Sequence, residues 1–288
     1  MFGFLNVYKP KGMTSHDVVA CLRRVTKIKQ IGHTGTLDPF AEGVLPICIG
    51  KATRLIEYLS DEKAYIATVQ FGKSTDTYDL EGEFVSESDV KVSKDNVLIA
   101  LKSFEGEIEQ TPPIYSALKV NGKKLYEYAR AGVDVEIKSR KVFIEKIELL
   151  SFDELNQTAE IYIKCSKGTY IRSITHDLGQ NLACGAYLIK LIRSQAGDFF
   201  LKESINLNDI NEKLVVENNL IYPLEKLSLQ RFDINDIEFD RVSHGMPIYA
   251  NGRNSTETVM LVYKDKLVGI AIKEDEKIKI KKFVYENW

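Results

Sequence analysis

The sequence is poor in the residues that build metal sites and disulfide frameworks. Its 288 residues include four cysteines and four histidines. Cys21, Cys48, Cys165 and Cys184 form no C-x-x-C pair, and no histidine clusters with them. We interpret them as reduced, mostly buried thiols of a cytoplasmic protein, so the sequence predicts neither disulfides nor a metal site.

Long apolar runs and several enzyme motifs are also missing. No stretch of about 18 apolar residues is present, so the sequence predicts no membrane-spanning helix. The first residues lack the charged region of a signal peptide, and we expect none. Neither the G-x-x-x-x-G-K-[ST] loop of nucleotide sites nor the G-x-S-x-G elbow of serine hydrolases occurs. What remains is a globular composition, 44% hydrophobic and 28% charged, whose length allows one large domain plus a small one.

The net charge of −2 argues against a nucleic-acid binder, but the charges are unevenly distributed. Residues 9–29 carry six basic side chains and one acid, and a second basic stretch covers 119–146. The acids concentrate in 76–95 and 203–240. Basic patches on a nearly neutral chain can bind phosphates, although solvated helix faces are the commoner meaning of such runs. Charge alone leaves both interpretations open.

Hydrophobic periodicity predicts a mixture of helices and strands. The predicted helices cover 15–28, capped by Ser15, 50–60, and 96–106, ended by Gly106. The predicted strands cover 63–72 and 186–199, and 159–182 has the pattern of a strand, a Lys-Gly turn and a helix. A domain boundary is expected near 222–228, and the three short strands that follow it indicate a small, barrel-like module.

One twelve-residue stretch, GHTGTLDPFAEG at 32–43, fits neither a core nor a regular element. Pro39 keeps Asp38 out of the helical backbone region, and an aspartate in such a turn most often bonds its own loop amides. A glycine-rich loop that presents a single carboxylate is also a usual way to position a catalytic group. Asp38 would then act as nucleophile or general base, and Arg172 or Arg193 would keep it ionised.

The same stretch belongs to a series of motifs that resembles the tRNA pseudouridine-55 synthases of the TruB family. GHTGTLDPFAEGVLPICIGKATR resembles the catalytic motif of that family. The resemblance continues in NVYKPKGMTSHDVV, KAYIATVQFGKSTDTYDLEG, TPPIYSALKVNGKKLYEYARAG and CSKGTYIRSITHDLG. These motifs follow the family's order and cover most of the first 200 residues. The short tail departs more from the family's PUA-like RNA-binding module.

The resemblance implies an α+β fold. Its catalytic domain, residues 1–227, would contain a mixed, mainly antiparallel sheet and an RNA-clamping insertion at about 109–138. A small β-rich, PUA-like module that binds RNA would follow at 228–288. The implied reaction isomerises a uridine in the T-arm loop of tRNA by base flipping, glycosidic cleavage, rotation and re-attachment through C5. No cofactor, membrane or obligatory protein partner is implied, and we expect a monomer.

Carried over motif by motif, the resemblance assigns roles to individual residues. Asp38 matches the catalytic aspartate, and Arg172 matches the arginine that pairs with it. Tyr65 matches the tyrosine that stacks on the target base and relays a proton. Tyr170 and Leu191 match pocket residues around the uracil.

Other residues would hold the RNA around the extruded base. His33 would stack in the gap that the flipped nucleotide leaves. Extruding that base from the loop costs about a few kcal/mol. Phosphate contacts would make the affinity fall with salt. The candidates for contact with the RNA backbone are Lys9, Lys119, Lys123, Lys124 and Arg130.

Each of these assignments has a plainer structural alternative. Tyr65 on an apolar strand face and Leu191 would belong to the core, Arg172 would satisfy a surface acid, and His33 would bond its own loop. Two other classes of function are alternatives. Loss of Asp38 or Arg172 would indicate a non-catalytic RNA-binding or tRNA-folding protein on the same scaffold, but both residues are present. A hydrolase with an aspartate nucleophile would need a second acid or a metal cluster near Asp38, and the sequence shows neither motif.

Overall fold

A ten-stranded sheet is the frame of the protein. The computed structural model describes residues 1–253 and 256–286. The strands are β1 (Gly3–Lys9), β2 (Ile31–His33), β3 (Glu42–Ile49), β4 (Lys63–Phe71), β5 (Lys73–Thr75), β6 (Phe84–Glu87), β7 (Gly106–Gln110), β8 (Lys119–Val120), β9 (Lys123–Lys124), β10 (Arg140–Asp153), β11 (Thr158–Cys165), β12 (Ala186–Ala196), β13 (Phe199–Phe200), β14 (Ile205–Asn206), β15 (Gln230–Asp233), β16 (Ile248–Tyr249), β17 (Thr258–Tyr263), β18 (Lys266–Glu274) and β19 (Lys277–Phe283). The helices are α1 (Ser15–Thr26), α2 (Lys94–Lys102), α3 (Leu125–Arg130), α4 (Ile171–Asn181), α5 (Lys213–Asn218) and α6 (Asp236–Ser243). Short 3₁₀ segments cover Gly50–Tyr58, Leu201–Glu203, Leu207–Asp209 and Pro223–Glu225.

The large sheet has the order β14-β1-β3-β12-β4-β11-β10-β7, with β2 on β3 and β13 on β12. Its pairs are antiparallel except β1/β14 and β3/β12. A second sheet has the order β15-β17-β18-β19-β16. This architecture confirms the α+β class with a mixed, mainly antiparallel sheet. No helix in the described ranges is both long and apolar enough to cross a membrane.

Helix α1 begins differently from the sequence expectation. Thr14, not Ser15, is its N-cap, and it forms a capping box with Asp17. The Ser15 hydroxyl instead donates to the Leu37 carbonyl at 3.2 Å and accepts from the Leu37 amide at 2.9 Å. Ser15 is buried, so these bonds fasten the start of α1 to the loop that carries Asp38.

Two other predicted helices need correction. The segment predicted over 50–60 is a 3₁₀ helix, Gly50–Tyr58. The helix predicted over 96–106 begins at Lys94, with Ser93 as its cap, and ends at Lys102. Gly106 does not end it, because this glycine takes a φ of 87° and begins β7. The strand over 63–71, the strand–turn–helix of β11 and α4, and the strand β12 are confirmed.

The second sheet packs directly on the start of the first. Phe2 and Phe4 from the N-terminus share a hydrophobic cluster with Leu227, Leu267 and Val284. Burying such side chains stabilises the contact by about 1.5–3 kcal/mol each. The predicted boundary near 222–228 falls just before β15, and the division into two domains stays a prediction. The predicted module runs to residue 288, of which 254, 255, 287 and 288 lie outside the described residues.

The predicted insertion leaves and rejoins the large sheet at one edge. Gln110, the last residue of β7, pairs with Arg140, the first residue of β10. Between them the chain forms the hairpin β8/β9 and the helix α3, whose Leu125 is buried. The insertion is thus held at its base by strand pairing, and its hairpin forms a separate two-stranded sheet.

Candidate active site

Asp38 lies on a loop that is fixed at several points. The loop joins β2 to β3, which pair with each other, so its two ends are held together. The Ala41 amide donates to the Asp38 carbonyl at 3.1 Å and closes a β-turn with Pro39 at its second position. The Gly12 amide donates to the Pro39 carbonyl at 2.7 Å. With the bonds from Ser15, these contacts set the direction in which the Asp38 side chain points.

A buried arginine supports this loop from below. The parallel pairing of β3 with β12 places Arg193 opposite Gly43. Gly43 takes a φ of 107°, and a Cβ at this position would collide with the Arg193 carbonyl. The Arg193 guanidinium is 0% exposed and donates to three carbonyls, those of Val44 at 2.7 Å, Thr36 at 3.2 Å and Gly35 at 3.2 Å. Arg193 therefore holds the loop backbone.

Arg172 is the cation that pairs with Asp38. It is the second residue of α4, and its Nη2 lies 2.9 Å from Asp38 Oδ2. No ion pair joins Arg193 to Asp38 among the residues that the structure describes. The Arg172 side chain is buried, whereas the Asp38 side chain is 34% exposed. The carboxylate is thus paired on one side and open on the other.

A second acid shares the same guanidinium. Asp79 Oδ2 lies 3.4 Å from Arg172 Nη1, and the Asp79 side chain is 5% exposed. Asp79 Oδ1 accepts hydrogen bonds from the Thr77 hydroxyl and the Glu81 amide. Burial raises the pKa of Asp79, while Thr77 and Arg172 act in the opposite direction. Arg172 is therefore fixed between two carboxylates, and this arrangement was not predicted from the sequence.

The predicted catalytic and pocket residues meet in one cavity. A cavity of about 330 Å³ is lined by Asp38, Arg172, Tyr65, Tyr170 and Leu191 among others. Tyr65 is 7% exposed, and burial raises its pKa to about 12, although the nearby Arg193 acts in the opposite direction. The phenol is therefore neutral near pH 7. The structure brings these five residues together as the sequence predicted, and their chemical roles stay predictions.

Tyr170 is positioned by the edge of the sheet. It is the N-cap residue of α4, and both its backbone groups bond the Gln110 side chain. The Arg140 guanidinium lies over the Tyr170 ring, 5.0 Å from its centroid. Cation–π contact of this kind fixes the ring plane. The residue pair Gln110 and Arg140, which frames the insertion, thus also places Tyr170 in the cavity wall.

A second cavity adjoins the first along Asp38. It measures about 530 Å³ and contains His33, with Lys124 and Arg130 of the insertion on its other side. Burial lowers the pKa of His33, so its ring is neutral near pH 7. Leu37, Asp38 and Arg172 line both cavities. A flat neutral ring and two cations therefore lie beside the cavity of Tyr65, as contact with a stacked RNA base and its phosphates would require.

Comparisons with known proteins agree with this geometry. The model of the TruB family pseudouridylate synthase (N terminal domain) matches residues 23–171, and that of the tRNA pseudouridylate synthase B C-terminal domain matches residues 172–228. The chain belongs to the TruB family of pseudouridine synthases. The first match covers the loop of Asp38 and the strand of Tyr65, and the second begins at Arg172.

Full-length relatives and solved structures place the chain in the same family. It is 43% identical to tRNA pseudouridine synthase B of Clostridium perfringens (strain SM101 / Type A) over 100% of both chains. It is 40% identical to that of Clostridium tetani (strain Massachusetts / E88), over 99% of this chain and 100% of the relative. A chain in the structure of an H/ACA RNP bound to a substrate RNA containing 2′-deoxyuridine matches with a TM-score of 0.74 and 25% identity, covering 99% of this chain and 86% of that one. A chain of a Cbf5-Nop10-Gar1 complex matches with a TM-score of 0.72 and 26% identity, over 98% and 84%.

Among the predicted backbone contacts of this pseudouridine synthase, those on the insertion are accessible. Lys119 and Lys123 are exposed, and Lys119 stands opposite Lys124 in the β8/β9 hairpin. Like charges directly opposite each other destabilise a hairpin, so an anion would relieve this arrangement. Lys124 and Arg130 both lie 5.3 Å from the Tyr126 ring centroid. Their contact with phosphates stays a prediction.

The expectation for Lys9 is wrong. Its side chain is 0% exposed, and its Nζ donates to the carbonyls of Pro10 at 3.0 Å, Met13 at 2.7 Å and Pro39 at 3.3 Å. Burial lowers its pKa to about 8, against the opposing effect of Asp38. Lys9 cannot reach a phosphate on the surface. It fastens the loop of Asp38 and the segment before α1 instead.

Sequence reasoning also missed residues that line the catalytic cavity. Lys63 and Arg140 belong to the cavity wall, and neither was predicted as a site residue. Lys63 precedes Tyr65 by two positions in β4, so the strand alternation that placed Tyr65 on the inner face also placed Lys63 there. Arg140 carried no local signal, because its position depends on the pairing of β7 with β10. In the described part of the chain, no cluster of His, Cys, Asp or Glu could hold a metal ion.

Proposed function

We propose that this pseudouridine synthase converts uridine 55, in the T-arm loop of tRNA, to pseudouridine, with Asp38 as the catalytic carboxylate. The observation that carries the proposal is the Asp38–Arg172 pair at 2.9 Å on a fixed loop, open to a cavity that also contains the buried Tyr65. The names of the full-length relatives, each a tRNA pseudouridine synthase B, support tRNA as the substrate.

The reaction needs few chemical groups because it is an isomerisation. The bond between C1′ and N1 breaks, the uracil turns, and a bond between C1′ and C5 forms. C5 then loses its proton and N1 gains one, so nothing is consumed. Asp38 either attacks the nucleoside covalently or assists the cleavage, and Arg172 holds the carboxylate in its ion pair in either case.

The other cavity residues would act on the flipped nucleotide. The ring of Tyr65 would stack on the uracil, and its neutral hydroxyl would help to move the proton from C5. Tyr170 and Leu191 would enclose the base and exclude water. His33, in the adjoining cavity, would stack in the gap left in the loop, which offsets part of the cost of about a few kcal/mol for extruding the base.

The insertion and the second sheet would bind the RNA outside the cavity. Lys119, Lys123, Lys124 and Arg130 would contact phosphates from one side of the catalytic loop. The second sheet would act as a PUA-like RNA-binding module, and we propose that the enzyme works as a monomer without a protein partner. These roles are supported by the exposed charges and by membership of the TruB family. The role of the insertion can be tested by substitution, and that of the second sheet by deletion.

The hydrolase alternative called for a second acid, and Asp79 is one. Its side chain, however, is 5% exposed and already contacts Arg172, the Thr77 hydroxyl and the Glu81 amide, which disfavours its use as a base toward water. Asp79 lines the cavity of His33 and is not part of the cavity that contains Tyr65. The arrangement therefore favours the isomerase over the hydrolase.

The experiment is incubation of the protein with an unmodified tRNA transcript, followed by nucleoside analysis and mapping of the modified position. We expect about one pseudouridine per tRNA, located at position 55. A transcript with cytidine at position 55 is the control and should gain none. Absence of pseudouridine from the first transcript would contradict the proposal, and modification at another position would contradict the choice of site.

A further inference from the structure

One wall of the catalytic cavity carries a lysine that has no partner. Lys63 lines the cavity with Asp38, Tyr65 and Arg172, and its side chain is half-buried. Within residues 1–253 and 256–286, no ion pair and no hydrogen bond reaches its Nζ. A Cβ at Gly35 would lie 3.2 Å from this Nζ, so the ammonium rests against the catalytic loop where a glycine allows close approach.

The acids next to Lys63 are bonded to other lysines. Asp61 Oδ2 lies 2.5 Å from Lys167 Nζ, and Glu62 Oε2 lies 3.3 Å from Lys164 Nζ. Lys9, the other lysine beside the loop, donates to three carbonyls. Lys63 thus differs from these lysines, because its charged group lies against the loop of Asp38 with no acceptor bonded to it in the described residues.

An unpaired ammonium in such a place is unfavourable. Burial of a charge costs free energy unless an opposite charge or hydrogen-bond acceptors compensate it. Burial lowers the pKa of Lys63, and the positive charge of Arg193 acts in the same direction, while Cys165 and Asp61 oppose them without bonding the ammonium. An anion that enters with the substrate would pair with the ammonium and remove this penalty. Relief of the penalty would then stabilise the complex with a substrate that carries an anion.

The phosphodiester of the RNA is the anion closest to the target base. Lys63 and Tyr65 lie two residues apart on one face of β4, which separates them by about 7 Å along the strand. If the Tyr65 ring stacks on the uracil, this spacing corresponds to the reach from a base to the phosphate of its own nucleotide. The uracil carbonyls are neutral and would compensate the ammonium less well.

We infer that Lys63 binds the phosphodiester next to the target uridine and so sets the register of the RNA strand in the cavity. This role rests on the proposed function. It makes Lys63 a residue that contacts the substrate, distinct from Arg172, whose guanidinium is already shared by Asp38 and Asp79. The ligand is a backbone phosphate, so the contact selects the position of the strand and does not depend on its sequence.

The test uses T-arm stem-loop RNAs in which a single phosphodiester is replaced by an uncharged methylphosphonate, either 5′ or 3′ of the target uridine. kcat/KM is measured for the wild type, Lys63→Met and Lys63→Arg with each RNA. Lys63→Met keeps the length of the side chain and removes its charge. We expect it to lower kcat/KM on natural RNA by about 10- to 100-fold, the effect of one charged hydrogen bond, and we expect Lys63→Arg to retain much of the activity.

The decisive result is whether the effects of the Lys63 substitution and of the methylphosphonate on kcat/KM depend on each other. One of the two methylphosphonates should lower wild-type kcat/KM by a similar factor and should have little further effect on Lys63→Met. Lys146→Met is the matched control, because Lys146 is exposed and lies outside both cavities. Its effect on kcat/KM should be additive with the effect of each methylphosphonate. Additive effects of Lys63→Met with both methylphosphonates would overturn the inference, because a purely structural lysine would give that result.

The wild type alone keeps the inference testable if Lys63→Met does not fold. A wild-type enzyme that converts both methylphosphonate RNAs as well as natural RNA would contradict it. Loss with one of them, together with retained activity of Lys63→Arg on natural RNA, would support it. Failure of the wild type on natural RNA would instead contradict the proposed function, so the two failures are distinguishable.

Discussion

The floor and the rim of the active site use positive charge in opposite ways. On the floor, Arg193 and Lys9 are both 0% exposed, and their donors are satisfied by backbone carbonyls of the catalytic loop and its neighbours. The rim is the insertion, whose Lys124 and Arg130 line the cavity of His33. Its Lys119 and Lys123 are exposed, with no ion pair in the part of the chain that the structure describes. The buried cations of the floor are already bonded to the protein, whereas the exposed cations of the rim are available to bind a ligand.

The chain thus uses buried cations to position the loop of Asp38, and we propose that it uses exposed cations to bind RNA. Buried cations that bond carbonyls hold a loop with little freedom, since each lost bond leaves an unsatisfied group in the interior. Exposed cations cost little to maintain and attract phosphates over a distance that depends on salt. Changes on the floor should therefore affect stability and turnover, whereas changes on the rim should affect affinity.

The largest effect is expected for Arg193→Met. The substitution leaves the carbonyls of Val44, Thr36 and Gly35 without their donor, at a cost of about 1–3 kcal/mol for a buried unsatisfied group. It also frees the loop of Asp38, and a shift of about 1 Å there can lower turnover about 100-fold. Urea denaturation and single-turnover kinetics measure the two effects. Arg231→Met removes an exposed arginine from the second sheet and is the control. It should change the free energy of unfolding and the single-turnover rate only slightly.

Arg172→Ala should change the dependence of the rate on pH. Without the guanidinium, Asp38 and Asp79 lose the positive charge beside their carboxylates, and the pKa of Asp79, which burial already raises, should rise further. Because the proposed reaction uses the Asp38 carboxylate, the acid limb of the rate profile should move to higher pH when its cation is removed. The profile of kcat/KM between pH 4 and pH 8 measures this shift, and an unchanged acid limb would contradict the pairing.

The double substitution of Lys119 and Lys123 by glutamine should weaken RNA binding and leave turnover nearly intact. Each phosphate contact that is lost should make the slope of log Kd against log salt shallower by roughly 0.7 to 0.9. Lys94→Gln combined with Lys102→Gln removes two exposed charges from α2, which lines neither cavity, and should leave the slope unchanged. Equal slopes for both double variants would mean that the hairpin does not contact RNA backbone.

The smallest effect concerns the titration of Lys9. Its pKa is lowered to about 8 in the folded protein, below the ordinary value of 10.5. Between these values the unfolded chain binds the proton and the folded protein does not, so folding stability gained from this group rises with pH. The free energy of unfolding of the wild type minus that of Lys9→Met should therefore increase between about pH 8 and pH 10. A flat or falling difference would show that the buried amine keeps its ordinary pKa.

The comparison also explains what the sequence could predict. The strand of Tyr65 and the strand–turn–helix of Arg172 follow local periodicity, and the loop of Asp38 has a composition that no regular element shares. These features depend on neighbours in the sequence. The resemblance to the TruB family then linked distant motifs and correctly placed Asp38, Arg172, Tyr65, Tyr170 and Leu191 in one cavity.

The features that were missed depend on topology. The support by Arg193 exists because β3 and β12 pair in parallel, and no local pattern reports that pairing. Ser15 was predicted to cap its helix because serine often does, but its neighbour Thr14 takes that position and leaves Ser15 to bond Leu37. Lys9 was counted with the surface charges because charge counts contain no burial. The partners of Arg193 and Ser15 lie far away in the sequence, and Lys9 bonds the distant Pro39 as well as its neighbours Pro10 and Met13.

The most direct test of the whole account is the Asp38→Asn variant. Asparagine has nearly the same shape as aspartate, and it can act neither as nucleophile nor as base. We expect the variant to fold, to bind unmodified tRNA with a Kd near that of the wild type, and to form pseudouridine at position 55 at least about 100-fold more slowly. Formation of pseudouridine at the wild-type rate under single-turnover conditions would contradict the central claim that Asp38 is the catalytic carboxylate.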